Sequence, residues 1–294
     1  MASAINQLPS QQMEPLLRSY ANAVRRQRWQ SLAAVCVFAG CLGLAFVGAE
    51  IDLPTLWNKL GGFPSYFNRI LTLDNGQRVW TNPPEWFWGL RKWLALLGET
   101  LLMAYVATML GALGAFAACF FAASNISRAR WFSMATRRFL EICRTVPDLV
   151  FALIFVVAFG LGPLAGVLAL SIHTMGALGK MFSEVVENAD MKPVDGLRAS
   201  GAGFAQTIRF AVLPQVLSNF ASYALLRFEI NVRSATVLGF VGAGGIGEEL
   251  LIAVRKFYYS DVSAILALII LAVFAIDIST TKLRERLVDA GRAS

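Results

Sequence analysis

Apolar residues run almost unbroken through 31–49, 94–123, 145–161, 163–187, 212–240 and 262–281, with polar or basic stretches between them. A hydrocarbon core takes about 20 mostly apolar residues of helix, so each run predicts one crossing. The run at 145–161 is short, and those at 94–123 and 212–240 exceed the need, which predicts tilt or extension beyond the bilayer. Only Gly160-Leu161-Gly162-Pro163 separates the third and fourth runs, a tight-turn signal at one membrane face. The first run is longer than the roughly 7–15 apolar residues of a signal peptide, so an uncleaved first helix is expected. The pattern is that of an all-α polytopic membrane protein with six transmembrane helices.

Charge adds direction. The 26 Lys and Arg residues divide unevenly: segments 1–30, 124–144, 180–209 and 282–294 hold 17, segments 50–93 and 241–261 hold 7, and Arg227 and Arg233 lie inside the fifth run. The positive-inside rule therefore puts both termini and the 180–209 segment in the cytoplasm. Six crossings require both termini on one side, so count and charge agree. The domain plan is a cytoplasmic tail at 1–30, a first helix at 31–49, and a periplasmic or interfacial loop at 50–93. A core at 94–281 follows, with a special segment at about 190–212, and then a cytoplasmic tail at 282–294.

Composition agrees. The chain is 56% hydrophobic and 15% charged, against roughly 25% charged residues in soluble domains. Its net charge of +7 is dispersed over short loops, which argues against nucleic acid. Four cysteines show no metal-ligand spacing, and no metal site is expected. Five of seven tryptophans (Trp57, Trp80, Trp86, Trp88, Trp93) fall in the 50–93 loop, predicting short helices on the outer membrane surface. Asp74-Asn75-Gly76 in that loop is a turn signal.

Within the core, Asp195-Gly196-Leu197-Arg-Ala-Ser-Gly201 precedes, after nine residues, Ala211-Val-Leu213-Pro214. This cytoplasmic loop is long enough for a helical hairpin. A mid-segment Gly201 permits a sharp turn or close approach of another backbone, and Pro214 marks a helix start. In the fifth run, Ser218, Ser222, Glu229, Arg233 and Thr236 share a stripe roughly 60° wide, and Tyr223, Arg227, Asn231 and Ser234 form a second band opposite. A helix polar on two faces belongs inside a bundle or at a subunit interface. One reading makes these residues a path for an anion; another makes Glu229 and Arg233 a neutral i,i+4 pair. Arg227 has no acidic neighbour at that spacing and is the stronger anion candidate. The fourth run carries a stripe of His173, Gly176, Lys180, Glu184 and Glu187. There a lone histidine reads as a helix-to-helix hydrogen-bonding group, and Lys180 with Glu184 as an i,i+4 pair.

The spacing from Asp195 through Gly201 to Leu213-Pro214 resembles the coupling motif of binding-protein-dependent ABC importer permeases. Asp195 stands where Glu is usual, and Gly196-Leu197 where two alanines are. Arg144 to Phe155, Gly160 to Leu170, and Asn231 to Gly247 resemble the phosphonate-type branch, and the resemblance covers roughly 94–281. It implies a type I importer permease carrying phosphonate, phosphite or a related oxyanion. It also implies a homodimer, two ATPase subunits, a periplasmic binding protein, and residence in the bacterial inner membrane. A helix around 194–209 would dock on the ATPase. ATP and magnesium would be used by that partner, with no cofactor bound here. The alternatives are an ABC permease for another small anion or an amino acid, and an ATPase-independent secondary transporter, which predicts broken helices in repeated halves.

Gly242-Ala-Gly244-Gly245-Ile-Gly247 fits a dinucleotide fingerprint, but a membrane helix precedes it where that fold needs a strand. It reads instead as a gate or turn at the outer end of the fifth run, dipping back toward the path. No GxxxxGK[ST] phosphate loop occurs, and the single histidine offers no constellation for an intramembrane enzyme.

The orientation is testable with a reporter active only in the periplasm, fused after residue 75 or after residue 294. The loop fusion should signal and the C-terminal fusion should stay silent; the opposite pattern would invert the map.

Overall fold

In the computed structural model, residues 10–49, 52–73, 75–127 and 130–293 are described, and among them the chain is helical with no strand. The expected N-terminal tail is thus seen only from Ser10. Asp74 of the expected turn, and residue 294, lie outside the described residues. Gly76, at φ +81°, does donate its N–H back to the Leu73 carbonyl.

Residues 1–65 form one unit and 66–294 another. In the first, α1 spans Ser10–Gly48. No glycine or proline interrupts Leu16–Ala39, so a helix begun in polar sequence continues into the apolar run. None of the apolar window of α1 is buried. Helix α2 (Leu53–Leu60) starts where Asp52 accepts the N–H of Thr55 at 3.1 Å, with Pro54 in its first turn. Helix α3 (Phe63–Ile70) leads into the second unit.

That unit continues with α4 (Pro83–Trp86), α5 (Leu90–Ala122), α6 (Arg130–Thr145), α7 (Asp148–Phe159) and α8 (Pro163–Glu187). Then come α9 (Met191–Ala199), α10 (Phe204–Thr207), α11 (Leu213–Leu238), α12 (Gly245–Arg255) and α13 (Tyr259–Ala293). Helix α8 packs against α5, α6, α7 and α11, while α11 also meets α5 and α13. Five of the six apolar runs end within about two residues of a helix end, whereas α13 continues to Ala293, well past the end of the sixth run at 281. The third run yields only α7, 12 residues or about 18 Å of helix, too short for a core near 30 Å. It is bent 83° from α6. Pro147 is the cause: Val146 before it resists helical backbone, and Pro147 lacks an N–H to continue the ladder. Four described helices are long and apolar enough to cross alone, and the count reaches six when two bent pairs each make one span.

At one end of the bundle, Ser133 and Arg137 of α6 donate to the Ala122 carbonyl that ends α5. Glu187, ending α8, accepts the Ser124 N–H at 2.7 Å and pairs with Arg137. These bonds satisfy helix-terminal groups that have no partner inside their own helices. At the other end Trp93 is 1% exposed and packs with Ile246, Leu250 and Ile265. Trp86 donates to Ser263 at 2.9 Å and Trp88 to Asp261 at 2.8 Å. The tryptophans are thus not all surface anchors. Trp57, Trp80 and Trp88 are exposed, but Trp93 is core and Trp86 is partly buried, because the start of α13 covers them.

Helices α6 and α8 touch through Gly176, where an added Cβ would stand 2.6 Å from the Arg144 nitrogen and 2.7 Å from the Leu140 oxygen. Gly176→Val should therefore destabilise the protein by about 1–3 kcal/mol. Gly98→Ala, in α5 with nothing within 4 Å, should be neutral or stabilising. Thermal inactivation in detergent reads both. Equal melting of the two variants would contradict this packing.

Candidate functional site

The segment from Asp190 to Pro214 is built by local rules. Asp190 caps α9, its side chain accepting the Lys192 N–H at 3.0 Å. At its other end the Gly201 N–H reaches the Arg198 carbonyl and the Ala202 N–H reaches the Leu197 carbonyl, both at 3.0 Å. This is a Schellman ending, and Gly201 has the φ of +86° that it requires. The single helix expected around 194–209 is therefore two: Gly201 lies in the turn between them, not inside a helix. Gln206 accepts the Gly203 N–H at 2.8 Å, starting α10. A π turn over Ile208–Val212 then leads into α11, where Pro214 sits in the first turn, whose N–H groups need no helical partner.

The two faces of this hairpin differ. Val194 is buried, and Leu197, Phe204, Ile208 and Leu213 pack on the same apolar cluster of α5, α8 and α11 residues. Asp195, Gly196, Arg198, Ala199 and Gly201 are exposed, and a Cβ on Gly201 would meet nothing within 4 Å. One face is anchored in the bundle and the other faces away from the chain.

In α11, the two polar bands point to different neighbours. Asn231 is fully buried and donates to Thr108 of α5 and Thr174 of α8, both at 2.9 Å. One turn earlier, the Arg227 guanidinium contacts His173 Nδ1 through Nη2 and Thr174 Oγ1 through Nε at 3.5 Å. No carboxylate pairs with it among the described residues. The opposite band carries the Glu229–Arg233 pair at 2.8 Å, the Glu229 side chain 8% exposed and that of Arg233 50%. Thr236 is buried, bonded to the Val232 carbonyl at 3.1 Å, and Ser222 is partly buried. Arg233 and Thr236 rim a groove whose other wall is Ile270, Phe274 and Asp277 of α13. Lys180 and Glu184 pair at 3.5 Å, as their spacing predicts.

The glycine-rich stretch returns the chain into the bundle. Gly242, Gly244 and Gly245 hold φ of +87°, +80° and +74°, conformations that suit glycine. A Cβ on Gly247 would fall 1.8 Å from the Thr236 carbonyl oxygen. The Ile246 N–H donates to Thr100 Oγ1 at 2.9 Å, and the Gly162 N–H to the Gly242 carbonyl at 2.9 Å. The latter bond ties the turn between α7 and α8 to the turn between α11 and α12. The triad of Asn231, Thr108 and Thr174 is not legible beforehand. Two isolated threonines in apolar runs carry no periodic signal.

An all-α bundle of apolar helices with a projecting hairpin and an interior polar helix is a multi-pass membrane transport subunit in form. The model of the family described as "binding-protein-dependent transport system inner membrane component" matches residues 111–289, and the chain belongs to that family. The phosphite transport system permease protein PtxC of Stutzerimonas stutzeri is 38% identical over 283 residues, 96% of this chain and 97% of that protein. The putative phosphite transport system permease protein HtxC of the same organism is 40% identical over 284 residues, 96% of each chain. The putative cryptic phosphonate transport system permease protein PhnE2 of Escherichia coli K12 is 49% identical over 121 residues, 41% of this chain and 99% of that protein. Among solved structures, an inward-facing MetNI methionine ABC transporter superposes with a TM-score of 0.57 at 18% identity, over 66% of this chain and 95% of that one. That likeness establishes the fold. The chain is an inner-membrane, multi-pass ABC permease.

If Glu229 and Arg233 serve as a structural pair, Glu229→Gln or Arg233→Gln alone strands a charge. The loss should lie below the 3–5 kcal/mol of a fully buried pair, because Arg233 is half exposed. The double change should recover most of the detergent melting temperature. Additive losses would show that the two residues act separately.

Proposed function

We propose that the chain is the permease subunit of an ATP-driven importer for phosphite, phosphonate or a related phosphorus oxyanion. The observation that carries this reading is the near-complete match to the phosphite permease PtxC, which extends through the N-terminal third as well as the family core. The methionine of the MetNI transporter belongs to that protein.

Two copies of the chain pair about a central path, two ATPase subunits bind below, and a periplasmic binding protein delivers the anion. Both termini lie in the cytoplasm. ATP and magnesium are consumed by the ATPase chains. The permease's own work is mechanical: it must have two states with different partner contacts, since a ligand shifts only an equilibrium whose states it binds differently. The hairpin at Met191–Thr207 suits this task, because its buried face is fixed in the bundle while Asp195, Arg198 and Gly201 remain open to a partner. Arg227 supplies positive potential to the passing anion, and the glycine turn at 242–247 serves as the outer gate.

Gly201 separates docking from folding. Gly201→Asn accepts a left-handed φ and should keep stimulated ATP hydrolysis and uptake of labelled phosphite near the unaltered level. Gly201→Trp, strained at that φ but meeting no atom of this chain within 4 Å of its Cβ, should still insert yet lose both, since its bulk meets the partner. Full stimulated hydrolysis by Gly201→Trp would rule out docking at this segment.

A further inference from the structure

We propose that His173 is a positioning residue that holds Arg227 as an unneutralised cation inside the bundle, keeping its charge available to the oxyanion. The inference rests on the reading of Arg227 given above. It adds a role for the single histidine, which α8 places against α11.

Arginine has only donors, so a guanidinium facing His173 Nδ1 requires that nitrogen to accept, with the ring proton on Nε2. A neutral imidazole fixes the direction of the guanidinium without cancelling its charge. A carboxylate in that place would do both, as Glu229 does for Arg233 one and a half turns further along the helix. Thr174 takes the Nε edge at 3.5 Å, and its hydroxyl is itself held by the amide of Asn231 at 2.9 Å. Arg227 is therefore fixed on two sides by neutral groups. Its Nη1 makes no hydrogen bond among the described residues. That leaves a donor for a ligand oxygen. Guanidinium donors match phosphorus oxyanions in geometry as well as charge. The residues facing the pair from the other elements are consistent with this. Asp148 of α7 makes no ion pair or hydrogen bond with Arg227 or His173; its carboxylate accepts the Leu149 N–H at 2.9 Å.

The test uses the complete complex of permease, ATPase and binding protein in proteoliposomes, with labelled phosphite as the probe. His173→Leu removes the acceptor and should lower uptake about tenfold or more, the scale of one charge-assisted hydrogen bond. His173→Asn places a carbonyl oxygen near the position of Nδ1 and should retain roughly half of the uptake or more. In an Arg227→Gln background, His173→Leu should cost nothing further, because the group it positions is gone. Melting temperature and stimulated ATP hydrolysis should stay within those of the unaltered complex for His173→Asn. Equal losses from His173→Leu with and without Arg227 would overturn the proposal in favour of a packing role. Full uptake by His173→Leu, with uptake lost in Arg227→Gln, would overturn the positioning role and leave the path reading standing. Full uptake by Arg227→Gln would remove the path reading, and this proposal with it. Should His173→Leu fail to assemble, loss of uptake by a normally melting His173→Asn overturns the proposal alone.

Discussion

Helix α11 must bury polar and charged groups on two opposite sides, and the rest of the core unit is arranged around that demand. A polar group taken out of water without a partner costs roughly 1–3 kcal/mol, and an unpaired charge more. Asn231 meets the demand with Thr108 and Thr174, Arg227 with His173 and Thr174, and Glu229 with Arg233. Each solution needs a specific neighbour at a specific height. The register of α5 and α8 against α11 is thereby determined by hydrogen bonds that apolar packing alone would not specify. Small residues such as Gly176 let the surrounding helices approach closely enough to complete the arrangement.

The same helix links the two ends of the core unit. Its N-terminus grows out of the hairpin through the π turn at Ile208–Val212, and its C-terminus runs into the glycine turn that sends α12 back toward α5. The hairpin is thus joined directly to the start of α11. The hydrogen bond from Gly162 to the Gly242 carbonyl joins its far end to the α7–α8 turn. Helix α11 thus connects, by chain and hydrogen bond, the hairpin proposed to dock the ATPase and the turn proposed as the outer gate.

Hydropathy made the bundle legible because burial in lipid demands long apolar runs whatever the neighbours. Helix α8 begins and ends on the residues that the pattern predicts, Pro163 and Glu187. The two bands of α11 were legible from angular spacing, as was the chance that Glu229 and Arg233 pair. Hydropathy failed where one backbone feature outweighs it. Val146-Pro147 splits the third run, and Gly201, which spacing alone allowed inside one long helix, ends α9 through its positive φ. The partner of Arg227 was hidden for another reason. Periodicity describes one helix at a time, whereas His173 meets Arg227 across 54 residues of sequence.

The central claim is that the charge of Arg227 is kept for the transported anion and is not needed by the fold. The direct measurement is the number of labelled phosphite ions moved per ATP hydrolysed by the reconstituted complex carrying Arg227→Gln or Arg227→Lys. The account predicts that Gln, whose amide can still donate to His173, lowers this ratio severalfold with little change in melting temperature, and that Lys, which keeps the charge without the planar fork, lowers it less. An unchanged ratio for Arg227→Gln would contradict it.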